Sequence, residues 1–295
     1  MRIATSVLSD NVRANLASNV VALDRLERQI SSGKRLTAPS DDPAAAYKVL
    51  RYHNDIALND QYTRNADNAS SFLAGTDTAL GGLTDALQRA RELAVQAGTG
   101  TVNAADMQAI GQEMNQLLLH AVQLGNSKLG GQYLFAGTQT TTAPFTAAGA
   151  TPAAVTYNGD TNPILQDVAP GVQVQVNTPG SQVFTAGMNA LIQIRNNLTA
   201  GNGQTAAQSG IPALDGALDG VLQVRGAVGA KVNSLDAVKA QNADESINLQ
   251  SQRSSLEDVD IASAIVQLNA SRNTYEAALG AAAKVITPSL AEFLH

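Results

Sequence analysis

Apolar side chains recur at alternating spacings of four and three residues near the start of the chain. The positions are Val12, Leu16, Asn19, Leu23, Leu26 and Ile30. This alternation is typical of a coiled-coil seam, and only Asn19 is polar. A buried Asn in such a seam weakens helix pairing but fixes its register. The pattern predicts a helix over roughly 5–31 that pairs with another helix, although an ordinary amphipathic helix would fit the same residues.

The next two helices follow from the same spacing. The segment 44–97 contains no proline, and its second half (69–97) keeps the four–three alternation with Thr76 as the one polar member. A third helix is predicted to begin at the capping residue Asn103 and to repeat the pattern cleanly over 107–124. These patterns predict helices that pack along narrow seams.

The pattern changes after the third helix. Residues 130–184 are rich in Gly, Thr, Pro and β-forming residues. The strand-like segment 155–157 leads into Asn158-Gly159, which predicts a hairpin turn. Valines alternate with polar residues over 172–176, as expected of a half-buried strand. A small β-containing insertion is therefore predicted.

Helical spacing returns after the insertion. A short helix is predicted over about 187–199, followed by a glycine-bearing loop over 201–212. The alternation then runs from Val221 to Val259 and continues in a second register. The apolar and aromatic members of that second register are Ile261, Ile265, Leu268, Tyr275, Leu279, Ala282 and Ile286. Because helices flank the insertion on both sides, we expect the two ends of the chain to pair.

The fold class that these patterns predict is mainly α. We expect a long antiparallel coiled-coil bundle formed by the N- and C-terminal regions, with a small β-containing insertion domain. The predicted divisions are 1–45 (N-terminal helix and linker), 46–130 (helical coiled-coil region), 131–186 (β-rich insertion), 187–255 (returning helical region) and 256–295 (C-terminal helix).

The segment between the first two helices carries the clearest helix stop and start signals. Gly33 can end the first helix, and Pro39 disfavours helix at the residue before it. Asp41 or Asp42 can cap the next helix, and Pro43 suits its first turn. The alternative, a carboxylate pair for acid–base chemistry, lacks a nearby His or Lys. We therefore interpret the two aspartates as capping residues.

Composition excludes several classes of function. The net charge is -6 and no basic cluster is present, so nucleic acid is not expected as a partner. The chain has no cysteine and three scattered histidines, which gives no pattern for a metal or thiol site. No phosphate-binding loop or catalytic motif occurs either. We expect no cofactor and no enzymatic activity.

The N-terminal sequence lacks the apolar stretch of a secretory signal peptide. No segment approaches the run of about 20 apolar residues that a membrane span needs. We expect no membrane span, and any export is predicted to use a route without a cleaved signal.

Three segments resemble the flagellin superfamily. They are SGKRLTAPSDDPAAA (32–46), LQRARELAVQAGTGT (87–101) and the C-terminal stretch 256–294. Within the superfamily the chain is similar to the hook-associated proteins of the hook–filament junction more than to the filament subunit. Two motifs carry this resemblance: the opening MRIAT is the first, and residues 126–145 contain the second. The residues of that second motif are Gly131, Tyr133, Phe135, Gly137, Pro144 and Phe145.

The resemblance implies a structural role in the bacterial flagellum, outside the cell. It implies that the two terminal helical segments pair in an axial core and that the insertion faces outward. The implied partners are other copies of the chain in a ring or helical layer, a second hook-associated junction protein, flagellin and an export chaperone. The alternative within the family is the flagellin filament subunit. A secreted coiled-coil adhesin or binding module is the alternative from another class.

Overall fold

Six helices and three short β-hairpins make up the part of the chain that the structure describes. The structure is a computed structural model that describes residues 2–286, with side chains at residue 7 and from 10 to 283. The helices are α1 (Arg2–Ser32), α2 (Pro43–Ala97), α3 (Ala104–Gly125), α4 (Gly180–Thr199), α5 (Gly203–Glu257) and α6 (Ile261–Ile286). The strands are β1 (Lys128–Leu129), β2 (Gln132–Tyr133), β3 (Phe145–Ala147), β4 (Val155–Tyr157), β5 (Leu165–Ala169) and β6 (Val172–Gln175).

The three hairpins are antiparallel pairs of consecutive strands, β1–β2, β3–β4 and β5–β6. All of them lie between α3 and α4, within one stretch of the chain. The predicted class, mainly α with a small β-containing insertion, is confirmed. Among residues 2–286 no helix is both long and apolar enough to cross a membrane.

The chain divides into two compact units. The first, which we call the end unit, comprises the described residues up to Leu58 together with those from Glu245 onward. The second, the central unit, is Asn59–Asp244. Both clusters of buried apolar side chains found in the described residues belong to the central unit.

The core of the central unit follows the seam predicted for α2. Its nine members are at most 1% exposed: Ala69, Leu73, Thr76, Leu80, Leu83, Leu87, Ala90, Ala94 and Ala97. Thr76 satisfies its buried hydroxyl by donating to the Phe72 carbonyl 2.9 Å away, one turn earlier. Side chains from α3, α4 and the first part of α5 pack against the part of this face from Leu80 to Ala97 in one cluster, whereas Ala69 and Leu73 belong to the second. The helix predicted over 44–97 is present as α2, and it continues through the glycines at 75, 81 and 82.

One predicted turn is wrong. Val155–Tyr157 is a strand, but it pairs backward with β3 instead of forward across Asn158-Gly159. The Asn158 amide donates to the Pro144 carbonyl at 2.8 Å, which extends the β3–β4 hairpin. A β-carbon at Gly159 would lie 2.5 Å from the Tyr157 hydroxyl. Glycine is required there for close packing, and the dipeptide does not connect two strands.

The loop predicted over 201–212 is also wrong, because α5 already begins at Gly203 and contains Pro212. Proline lacks the amide that a helix interior needs, which made a loop the natural prediction. Tertiary packing outweighs that cost. Ala206 and Leu214 are fully buried, and a β-carbon at Gly210 would lie 2.3 Å from Ile194 on α4.

Candidate assembly surface

The linker between α1 and α2 is fastened to the corner between α5 and α6 within the end unit. Lys34 and Asp258 form an antiparallel bridge. The Arg35 amide donates to the Glu257 carbonyl at 2.7 Å, and the Val259 amide donates to the Gly33 carbonyl at 3.1 Å. Gly33 has φ of +70°, a left-handed conformation that lets the chain turn out of α1 toward this bridge.

Side chains reinforce this bridge. The Lys34 ammonium pairs with the Glu257 carboxylate, and the Arg35 guanidinium donates to the Leu256 carbonyl at 2.7 Å. From α1, the buried Gln29 side chain donates through Nε2 to the Arg35 carbonyl at 2.8 Å. We call this set of contacts between Gln29, Gly33–Arg35 and Leu256–Val259 the clasp.

The two aspartates of the linker have separate structural roles. The Asp41 carboxylate accepts from the Thr37 amide (3.1 Å), the Thr37 hydroxyl (2.9 Å) and the Ala38 amide (2.9 Å). The hydrogen bonds from Ala38 and Thr37 hold the pKa of Asp41 below its ordinary value. Asp42 accepts from the Ala45 amide at 3.0 Å, as a cap for the start of α2.

The linker prolines complete this geometry. Pro43 is the first residue of α2, where its missing amide costs nothing. Pro39 lies in the linker and lines an apolar groove together with Leu36, Tyr47 and Leu50. The linker therefore serves to position two helices, and its carboxylates are engaged in that task.

The structure places the α1 seam residues on one face of the helix. Val12, Leu16, Asn19, Leu23, Leu26 and Ile30 are all half-buried, while the positions between them are mostly exposed. This face lies toward α6, with which α1 packs. An ion pair between the Arg272 guanidinium and the Glu27 carboxylate, 2.9 Å apart, links the two helices further along.

The seam residues predicted for α6 fall into two groups. Leu268 and Tyr275 are half-buried, whereas Ile261, Ile265 and Leu279 are exposed. The side chain of Ile286 lies outside the described residues. The covered face of α6 is instead formed by Ala264, Leu268, Ser271, Tyr275, Ala278 and Ala282. Sequence reasoning included Ala282 but missed Ala264, Ser271 and Ala278, because Ala and Ser give a weak hydrophobic signal.

Large apolar side chains remain exposed across the end unit. Tyr47 is 70% exposed and Val266 is 68% exposed. Other exposed apolar residues of this unit are Val7, Val20, Val21, Leu50, Leu58, Ile247, Ile261, Ile265 and Leu279. Single exposed apolar residues are ordinary, but a concentration of them marks a surface that binds another molecule.

The two phenylalanines of the second family motif lie in the core of the central unit. The Phe135 ring is fully buried and meets Phe184 edge-on, with 4.7 Å between ring centroids. Phe145 contacts both Phe184 (5.5 Å) and Tyr157 (5.2 Å). The Tyr157 hydroxyl donates to the Phe135 carbonyl at 2.9 Å. These aromatic side chains fasten the hairpins to the helices.

The glycines and the remaining residues of that motif shape the hairpins. Gly131 lies in the turn between β1 and β2, and Lys128 lies over the Tyr133 ring at 4.3 Å from its centroid. Pro144 is buried at the start of β3. Gly137 has φ of +67°, and a β-carbon there would lie 2.2 Å from an Asp160 carboxylate oxygen.

No chemistry beyond packing is evident in the part of the chain that the structure describes. It holds no group of three or more His, Asp or Glu side chains that could bind a metal ion. Arg195 is buried with the Asn115 and Asn196 amide oxygens as partners, and burial lowers its pKa. The Asn115 side chain in turn donates to the Ala150 carbonyl at 2.7 Å. This network connects α3, α4 and the insertion, which is a structural task.

Comparison with known families matches both ends of the chain. Residues 3–140 match the bacterial flagellin N-terminal helical region, and residues 211–294 match the bacterial flagellin C-terminal helical region. Together these two regions cover most of the chain.

Individual relatives extend the match over nearly the full length. The flagellar hook-associated protein 3 of Salmonella typhimurium is 27% identical over 94% of this chain and 95% of its own. The crystal structure of Bacillus cereus FlgL superposes with a TM-score of 0.60 at 26% identity, covering 69% of this chain and 99% of that one. A flagellin from Halalkalibacterium halodurans is 26% identical over 87% of this chain and 85% of its own.

These matches agree with the order of elements described above, in which helices lie at both ends of the chain and the β-hairpins lie between α3 and α4. The chain belongs to the flagellin family, and it is similar over nearly its whole length to the hook-associated protein 3 members of that family.

Proposed function

We propose that the chain is a structural subunit of the bacterial flagellum that forms the junction layer between hook and filament. The observation that carries this proposal is the surface of the end unit. Its helices expose large apolar side chains that the core of the chain does not cover. Whole-length similarity to hook-associated proteins supports the place of that surface in the flagellum.

Neighbouring copies supply the missing cover in this proposal. The end units pack side by side in a ring or helical layer, and Ile261, Ile265 and Leu279 contact the next copy. An end unit by itself buries little apolar area, so it becomes fully stable only when contacts with neighbouring copies bury more. The insertion faces outward; the sequence predicts it over 131–186, but because α3 ends at Gly125 and α4 already begins at Gly180, its bounds are 126–179.

Different partners meet the two axial faces of the layer. A second hook-associated junction protein lies on the hook side and flagellin on the filament side. An export chaperone covers the apolar end helices inside the cell, and the chain is exported without a cleaved signal peptide. A subunit that meets unlike partners above and below does not polymerise without limit, whereas a heterologous self-contact does.

Deleting the gene in its host bacterium tests the junction. Cells should keep their hooks but release flagellin monomer into the medium, because the filament has nothing on which to assemble. Re-expression of the intact chain should restore filaments, which electron microscopy of the cells would show. Normal filaments on hooks in the deletion strain would contradict the proposal.

Flagellin itself is the second candidate, favoured by the similarity to the Halalkalibacterium halodurans protein. The two candidates differ in self-polymerisation. Purified chain, added to filament seeds under conditions that elongate flagellin, should not grow filaments of its own. Long filaments made of this chain alone would assign it to the filament and leave the role of the end helices unchanged.

A further inference from the structure

The covered face of α6 carries little that would stop this helix from sliding along α1. Its positions repeat every seven residues, first as Ala264, Ser271 and Ala278 and then as Leu268, Tyr275 and Ala282. A slip of one heptad moves a helix by about 10 Å; it would exchange Ala264, Ser271 and Ala278 among themselves and bring Tyr275 to the place of Leu268, one large side chain for another. Four of the six side chains are Ala or Ser and bury little apolar surface, so the seam by itself specifies its register only weakly.

The clasp restricts the alignment of α1 and α6 more strongly than the seam does. We infer that the clasp sets the register of α1 against α6, with Lys34 and Glu257 as positioning residues and Gln29 holding the linker in place. This inference deepens the proposed function and rests on it for its biological consequence. Hydrogen bonds from the Arg35 and Val259 amides can form in one alignment of the two chain segments only.

The carboxylate of the clasp is better protected than either partner of the ion pair between α1 and α6. The Glu257 side chain is 13% exposed and pairs with Arg253 and with Lys34, whose own side chain is 52% exposed. By contrast, the side chains of Glu27 and Arg272 are both more than half exposed. Exposed pairs are screened by salt and contribute little, whereas partly buried ones are screened less.

Register matters because every copy must offer the same surface to its neighbours. Ile261 and Ile265 begin directly after the clasp on the exposed side of α6. A slipped α6 would displace this apolar stripe by a full heptad relative to α1. The clasp therefore gives the end unit of every copy the same surface before the copies assemble.

Spin-label distances on the purified full chain test the register. The chain contains no cysteine, so Asn15→Cys on α1 and Asn273→Cys on α6, both at exposed positions, give two unique labels. The otherwise unaltered chain should show one narrow distance. Glu257→Lys should add a second distance displaced by up to about 10 Å, and raise the slipped population about fivefold.

Charge exchange and matched controls separate register from general damage. Combining Lys34→Glu with Glu257→Lys should return most of the population to the narrow distance. Gln29→Leu, which changes no charge, should broaden it as Glu257→Lys does. Arg272→Glu reverses a charge on the same helix pair away from the clasp and should leave the distance unchanged.

Three outcomes would overturn the inference. In the first, the distance distribution is equally narrow or equally broad with and without Glu257→Lys. In the second, the double variant Lys34→Glu with Glu257→Lys gives a distribution as broad as that of the single variant. In the third, Asn19→Leu alone broadens the distribution. The last would place the register in the seam. None of these outcomes bears on the junction, because the purified chain is measured without hooks. Normal filaments in a gene-deletion strain would refute the junction and leave the clasp measurement intact.

Discussion

The end unit and the central unit use the same spacing of apolar residues and reach different results. In the central unit, the α2 seam from Ala69 to Ala97 is buried throughout and is completed by aromatic side chains such as Phe135 and Phe184. In the end unit, the α1 seam reaches half-burial only, and residues such as Tyr47 remain in solvent.

The difference shows that a heptad pattern specifies a face and leaves open what covers it. Three further helical segments of the same chain close over α2 in the central unit. In the end unit, α6 brings mostly Ala and Ser to the seam, which buries little area. The central unit is therefore expected to be stable on its own, and the end unit to gain stability from neighbours.

The largest expected effect comes from truncating the aromatic core. Phe135→Ala removes a fully buried ring, and we expect it to lower the free energy of unfolding of the central unit by about 3–5 kcal/mol. The matched change Leu26→Ala in the half-buried α1 seam should cost the free chain about 1 kcal/mol. Urea unfolding followed by circular dichroism measures both. Equal losses would contradict the contrast between the units.

Two glycines of the insertion test how tightly this part of the central unit is packed. Gly137→Ala combines a positive φ with a clash against Asp160, and should cost about 2–4 kcal/mol. Gly149→Ala also has positive φ, at +76°, but no atom lies within 4 Å of its β-carbon. We expect about 1 kcal/mol there. Thermal unfolding distinguishes the two, and similar losses would show that the Asp160 contact is unimportant.

We expect acid to lower the stability of both units slightly, because each unit contains a carboxylate whose pKa is lowered by hydrogen bonds. Asp160 accepts from the Thr138 amide and hydroxyl and from the Asn162 amide, which lowers its pKa, as the Thr37 and Ala38 bonds do for Asp41. A lowered pKa in the folded state means that this stabilisation is complete above the ordinary value of 3.8 and is lost as pH falls further.

Unfolding midpoints at pH 7 and pH 3 measure this loss. We expect Asp160→Asn to reduce the difference between the two midpoints, because the variant has no charge to lose. Asp41→Asn, in the end unit, should leave the unfolding of the central unit unchanged. An unaltered acid response in Asp160→Asn would show that other carboxylates cause it.

The smallest effect on stability is expected at the exposed apolar residues. Tyr47→Ser or Leu50→Ser should change the free energy of unfolding by no more than about 0.5 kcal/mol, because neither side chain is covered in the free chain. Both should reduce the number of flagella per cell. Leu222→Ser, at an exposed site of the central unit, should affect neither quantity. Full assembly by the Tyr47 and Leu50 variants would remove this surface from the interface.

The sequence alone determined the helical elements whose apolar positions are regularly spaced and include several leucines. The long α2, its buried seam and the mainly α class with a β-containing insertion were all predictable, because leucines at heptad spacing leave one solution for which face is buried. The helix-start signals before α2 were readable for a similar reason, since capping depends on residues a few positions apart.

Tertiary structure decided the features that depend on distant residues. Helix at Pro212 is held by packing of Gly210 against Ile194, and Asn158-Gly159 is placed by β3 and Tyr157. The covered face of α6 consists largely of Ala and Ser. Because burying these small side chains contributes little free energy, packing against α1 decides which face of α6 is covered. The clasp between Gly33–Arg35 and Leu256–Val259 joins residues more than two hundred positions apart. Local spacing cannot encode such pairings, because they depend on how the whole chain brings its ends together.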